Sequence, residues 1–240
     1  MPSDVLSINH ENVFLFIPNL IGYTRIILAF TSLYYMPYHP HTCTILYSIS
    51  YLLDALDGAA ARHLNQSTRF GTVLDMVTDR CTTTCLLVFL ASVFPVWSIV
   101  FQALMCLDYS SHYVHMYATL VTGGGKSHKQ ANDGWPWVLR VYYEHSSVLF
   151  SVCMLNELCF IALYLLSFSS DTIPSVERWF SPHGAGVMNA IPSWPGFLFS
   201  VSSPFMLYKQ YINVVQLVQG SKMIAMLDKQ TRHRERVSQR

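Results

Sequence analysis

Six apolar stretches constrain this chain more than any other feature: roughly 19–36, 42–61, 70–93, 95–121, 147–168 and 190–218. Each is long enough to cross about 30 Å of hydrocarbon as a helix. Only 12% of the residues are charged, against about 25% in an ordinary soluble domain. The expected fold is therefore all-α, a polytopic integral membrane bundle of six helices. The breaks are chemically marked. "MPYHPHT" and "FPVW" carry prolines, and "VTGGGKSHKQANDGWPW" and "SSDTIPSVERWFSPHGAG" are long polar loops. A single domain is expected over 1–240. Residues 1–18 would form an interfacial N-terminal segment and 221–240 a basic cytosolic tail. Pro192, Pro195 and Pro204 predict kinks near the start of the last span.

Six spans put both termini on one side, and the distribution of basic residues says which. Arg62, Arg69, Lys126, Lys129, Arg140 and the tail residues Lys222, Lys229, Arg232, Arg234, Arg236 and Arg240 fall on one side, and Arg178 alone on the other. Positively charged loops stay cytosolic, so both termini are predicted cytosolic. Trp135, Trp137, Tyr142 and Tyr143 fit an aromatic belt at that interface. Residues 1–17 hold no Lys or Arg, so a cleavable signal is not expected. The net charge of +1 excludes nucleic-acid binding of the basic kind. Six cysteines without a C-x-x-C pair read as small core thiols rather than a disulfide framework.

Against this apolar background, "LLDALDGAAARHLNQSTRFGTVLDMVTDR" places four aspartates in two spans. Ionisable residues there are costly and mark function by default. Asp54 and Asp57 are three apart and Asp75 and Asp79 four apart, so each pair lies on one helix face. The short polar loop between them makes the helices antiparallel neighbours. Four converging carboxylates repel one another and collect protons or cations. An oxygen-only set without His or Cys favours a hard ion, Mg²⁺ or Mn²⁺. Two such ions suit displacement at phosphorus. Gly58, Ala59, Ala60, Ala61 and Gly71 leave bare backbone beside the acids, for close packing or for a ligand. Arg62 and Arg69 suit phosphate recognition. The competing reading pairs the acids with Arg62, Arg69 and Arg80 as structural salt bridges, four acids for three bases.

The pattern Asp54-x2-Asp57-Gly58-x2-Ala61-Arg62-x8-Gly71-x3-Asp75-x3-Asp79 resembles the signature of the CDP-alcohol phosphotransferase family at every fixed position. "FLFIPNLIGYTR", "LDYSSHYVHMY", "SHK" and "NELCFIALYLL" are similar to its phosphatidylinositol synthase branch. The resemblance implies a six-helix membrane enzyme that joins a CDP-linked substrate to an alcohol and releases CMP. It implies two metal ions held by Asp54, Asp57, Asp75 and Asp79, with Asp79 also the general base. It implies Gly58, Ala61 and Arg62 lining the CDP site, to which bare Gly71 is added. It further implies CDP-diacylglycerol and myo-inositol as substrates, and the endoplasmic reticulum membrane with the site facing the cytosol.

Asp108, Ser111, His112 and His115 form a polar stripe on the fourth span. They are candidates for inositol binding, with a helix–helix hydrogen-bond seam as the equal alternative. Asn156 and Glu157 are secondary candidates of the same kind. The expected partners are the two substrates and membrane lipids; a homodimer is left open. Two rivals stand. One is the same chemistry with glycerol phosphate, serine or diacylglycerol as acceptor. The other is a cation transporter or channel, which would not require the glycine and arginine positions.

Overall fold

Helix α1, Ile17–Tyr35, begins the framework in the computed structural model, which describes residues 12–121, 137, 142, 145–169 and 193–238. Five further α-helices follow among the described residues: α2 Pro40–His63, α3 Arg69–Val93, α4 Ser98–Val121, α5 Ser146–Ser169 and α6 Trp194–Ser238. No described residue lies in a strand. Two of the six, α3 and α5, are long and apolar enough to cross a membrane. The chain divides into two compact units, residues 1–86 and 87–240.

In the first unit, α1 packs on both α2 and α3. A Cβ added at Gly22 would sit 3.1 Å from Leu74 Cδ2, and one at Gly71 would sit 2.9 Å from Asn19 Oδ1. Glycine at these two positions is what lets α1 approach α3 so closely. The α2–α3 connection is built from local chemistry. Asn65 adopts φ 52°, the left-handed region, which Asn tolerates because its short side chain can bond locally. The Gln66 N–H then donates to the Ala61 carbonyl at 3.0 Å and the Asn65 N–H to the Arg62 carbonyl at 3.4 Å. These are the two bonds of a Schellman C-cap. Thr68 caps α3: its Oγ1 accepts from the Gly71 N–H at 3.0 Å. Gln66 Oε1 accepts from the Ile17 N–H at 3.1 Å, tying the connection to the start of α1.

In the second unit, α6 packs on α4 and α5. Gly220 is the close approach to α4, where an added Cβ would lie 2.9 Å from Val114 Cγ1 and 3.4 Å from the His115 backbone. Phe89, Tyr164 and Phe168 form an aromatic cluster with ring centroids 5.3–6.3 Å apart. Buried Tyr142, Val152 and Ile212 form a second apolar core.

Several expectations are corrected here. The fourth helix starts at Ser98, because Pro95–Trp97 form a separate 3₁₀ turn. Residues 221–238, in the stretch expected as a basic tail, are helical and continue α6. Beyond Gly220 the sequence is rich in Lys, Gln, Met, Leu and Arg and has no Gly or Pro, so nothing stops the helix. The helix also runs through Pro204. Proline removes the N–H that the Ser200 carbonyl would accept, and Ser203 Oγ donates to that carbonyl at 3.3 Å instead. Tyr142 is 2% exposed, so it belongs to the core and not to an aromatic belt. Lys209 lies 5.3 Å over its ring. Trp137 is exposed; Trp135 and Tyr143 lie outside the described residues, as do Lys126, Lys129, Arg140, Arg178 and Pro192. None of the six cysteines is in a disulfide. Cys43 and Cys159 are core thiols, but Cys81 and Cys106 are exposed.

Candidate active site

The four aspartates meet within the first unit, as their spacing predicts, and α1 supplies what lies at their centre. Arg25 is 2% exposed. Its Nη1 lies 2.7 Å from Asp57 Oδ2 and 2.7 Å from Asp75 Oδ1. Its Nη2 lies 2.6 Å from Asp54 Oδ1 and 2.5 Å from Asp79 Oδ1. Each terminal nitrogen thus joins one aspartate of α2 to one of α3. The Arg25 carbonyl accepts from Ser50 Oγ at 3.0 Å, which ties this turn of α1 to α2. Arg80 Nη2 stands 3.5 Å from the other oxygen of Asp79.

The salt-bridge alternative therefore holds in an unforeseen form. The acids are ion-paired, but chiefly with Arg25, which sequence spacing did not bring into the site. Arg62 instead lines the adjacent cavity, and Arg69 is exposed at the start of α3. A signal for Arg25 existed in the sequence. It is the one charged residue in α1, and such a residue in an apolar helix marks function by default.

The residues fit a divalent cation. One carboxylate oxygen from each of Asp54, Asp57 and Asp75 lies within 4.8 Å of the others, as one ion requires. The donors are oxygen only, the set that hard divalent ions prefer. Four carboxylates against the guanidinium groups of Arg25 and Arg80 leave a formal charge of about −2, which attracts further positive charge. Asp54 Oδ1 is buried and makes no hydrogen bond of proper geometry, only the ion pair with Arg25.

A cavity of about 200 Å³ opens beside the acids. Asp57 and Asp75 form part of its wall, together with Gly58, Ala61, Arg62 and Gly71. Pro18, Asn19 and Gly22 of α1, Gln66, Ser67 and Thr68 of the connection, and Thr72 and Leu74 of α3 complete it. Gly58 and Gly71 keep two sides free of side chain, and Arg62 provides a guanidinium at its edge. The wall contributed by α1 is a second feature that reading α2 and α3 alone misses. A pocket with bare backbone, one arginine and neighbouring carboxylates suits a phosphate ester bound beside a cation.

The CDP-alcohol phosphatidyltransferase profile matches residues 15–225. This chain belongs to that family. It is 49% identical over 222 residues to the CDP-diacylglycerol–inositol 3-phosphatidyltransferase of Schizosaccharomyces pombe, covering 92% of this chain and 93% of that one. It is 43% identical over 218 residues to the protein of the same name from Rattus norvegicus, covering 91% and 95%. It is 43% identical over 215 residues to that from Saccharomyces cerevisiae, covering 90% and 88%. No solved structure matches the chain. All eight family signature positions fall between Asp54 and Asp79, and six of them line the cavity: Asp57, Gly58, Ala61, Arg62, Gly71 and Asp75.

The polar stripe on α4 belongs to the second unit. Ser111 is fully buried and donates to the Asp108 carbonyl at 3.0 Å. His112 Nδ1 lies 2.8 Å from that carbonyl and 3.5 Å from Asp108 Oδ1. Asn213 Nδ2 donates to Asp108 Oδ1 at 3.4 Å and to Gln210 Oε1 at 3.2 Å. Gln210 Nε2 donates to Asn156 Oδ1 at 3.2 Å, and Asn156 Nδ2 to Glu157 Oε1 at 3.3 Å. Asp108, Asn156 and Glu157 therefore share one hydrogen-bonded seam across α4, α6 and α5. Gln210 and Asn213 extend this set, and only helix packing brings them to it. His115 lies at the close approach of α4 to Gly220.

Proposed function

We propose that this chain transfers the phosphatidyl group from CDP-diacylglycerol to myo-inositol, giving phosphatidylinositol and CMP. The observation that carries this reading is its 49% identity, over 92% of its length, to a protein named for that reaction. The four aspartates and the adjacent cavity support the chemistry.

Asp54, Asp57, Asp75 and Asp79 would hold two divalent ions, Mg²⁺ or Mn²⁺. Such ions stabilise negative charge on phosphoryl and leaving oxygens. The chain's own residues do the rest. Gly58, Ala61 and Gly71 admit the CDP moiety, and Arg62 binds its phosphate through a charge-assisted contact. Asp79 accepts the proton of the inositol hydroxyl. The hydroxyl oxygen bonds to the phosphorus that carries diacylglycerol, the bond from that phosphorus to CMP breaks, and CMP leaves with its electron pair. Asp108, His112 and His115 offer polar groups to the inositol hydroxyls, while Ser111, fully buried, holds the turn of α4.

The six helices would be six spans of one membrane domain. The shortest, α1, has 19 residues and reaches about 28 Å at 1.5 Å per residue. Both termini and the active site would face the cytosol, as the basic residues predict, in the endoplasmic reticulum membrane. A lipid donor explains a site at the membrane surface, because its acyl chains stay in the bilayer while CDP is read from water.

The test is CMP release by purified protein with CDP-diacylglycerol and competing alcohols. Preference for myo-inositol over glycerol phosphate and serine is expected. Equal use of all three would remove inositol from the proposal, and ion flux without CMP release would remove the enzyme.

A further inference from the structure

The buried guanidinium of Arg25 touches one oxygen of each of the four aspartates, at 2.5–2.7 Å. The same carboxylates are the candidates for holding a divalent ion, three of them with oxygens within 4.8 Å of one another. We propose that Arg25 is an internal counter-cation that competes with divalent ions for these carboxylates. It holds α2 and α3 together when the ions are absent and yields oxygens to them on loading. The inference rests on the divalent-ion reading above and adds a role for a residue outside the family signature.

Three observations carry it. The guanidinium lies between the two aspartate pairs, each nitrogen bridging α2 and α3, so it touches all four acids and offsets part of their charge. Such a group offsets repulsion that otherwise forces carboxylates apart or makes them take up protons. Second, Nε of Arg25 is buried without a hydrogen bond. The group is held through its two terminal nitrogens alone, and moving it off the carboxylates breaks no Nε contact. Third, Ser50 Oγ bonds the Arg25 backbone and not its side chain. The turn of α1 is therefore anchored by a bond that does not depend on where the guanidinium sits. Arg25 is a positioning residue in this scheme, since it acts through the aspartates.

The test compares full-length wild type, Arg25→Met and Arg25→Lys in detergent, measuring Mn²⁺ binding by electron paramagnetic resonance and thermal unfolding with EDTA or Mn²⁺. Removing a positive charge at contact distance should tighten Mn²⁺ binding in Arg25→Met by about tenfold or more. In EDTA that variant should unfold at a lower temperature than wild type, and saturating Mn²⁺ should raise its midpoint by more than it raises the wild-type one. Arg25→Lys keeps the charge but replaces the two-nitrogen fork with one ammonium, so the same changes should appear at smaller size. It decides the matter if Arg25→Met does not fold. Mn²⁺ affinity that is unchanged or weaker in the variants overturns the competition and leaves the metal reading intact. Wild-type protein that releases CMP in EDTA and binds no Mn²⁺ overturns both.

Discussion

Arg25 and Asp57 stand 32 residues apart in the chain, and their side chains meet at 2.7 Å with both buried. That contact joins α1 to α2, and those with Asp75 and Asp79 join it to α3, which makes the site a three-helix structure. A purely structural salt bridge would need one acid for this base, and here four acids surround it. The surplus negative charge gives the site its use, because it leaves capacity for ions and substrate phosphate after the guanidinium is counted.

Asp79→Asn is expected to fold, to insert and to lose turnover. The amide keeps the size of the side chain but cannot accept the hydroxyl proton, and general-base loss costs about 10²–10⁴-fold in rate. CMP release measured beside a thermal-unfolding trace checks this. Near-normal release would take the base role away from Asp79.

Removing divalent ions should abolish turnover. Dialysis against EDTA followed by graded addition of Mg²⁺ or Mn²⁺ is expected to restore CMP release in a saturable way. Ca²⁺, which accepts longer bonds and more ligands than Mg²⁺, should support it poorly. Full activity after exhaustive chelation would contradict the assignment of the four aspartates.

Gly71→Ala places a Cβ 2.9 Å from Asn19 Oδ1 and 3.2 Å from the capping Thr68 Oγ1. Asn19 has little room to yield, because its Nδ2 donates to the Val13 carbonyl at 2.6 Å. Overpacking of this kind costs about 1–3 kcal/mol, more than the roughly 1 kcal/mol of helix propensity that alanine adds. The expected outcome is a lower unfolding temperature and a raised KM for CDP-diacylglycerol, read from donor-dependent CMP release.

Thr68→Val removes the oxygen that caps α3 at the Gly71 N–H, 3.0 Å away. Loss of an N-cap costs about 1 kcal/mol, and Thr68→Ser should retain most of it. Unfolding midpoints for the two variants check the order.

Asp108→Asn separates the two readings of the α4 stripe. As an acceptor contact it should raise KM for myo-inositol by about tenfold, the loss of one charge-assisted hydrogen bond, with KM for CDP-diacylglycerol unchanged. A lowered unfolding midpoint with both KM values unchanged assigns Asp108 to the seam with Asn213 alone.

The sequence by itself determined the all-helical class, the helix carrying each aspartate pair, the face each pair occupies and the polar turn between them. These follow from backbone periodicity, which is local: residues three and four apart share a helix face whatever surrounds them. The family resemblance was legible for the same reason, since the signature occupies one continuous stretch. Tertiary structure decided the rest. Arg25 reaches acids 29 to 54 positions away only because Gly22 and Gly71 let α1 press against α3. Asn213 and Gln210 reach Asp108 and Asn156 only because α6 packs on both α4 and α5. Tyr142 is in the core because Ile212 and Val152 meet it there. Spacing along one helix carries no information about which other helix will face it, and the cation among the four aspartates came from such a neighbour.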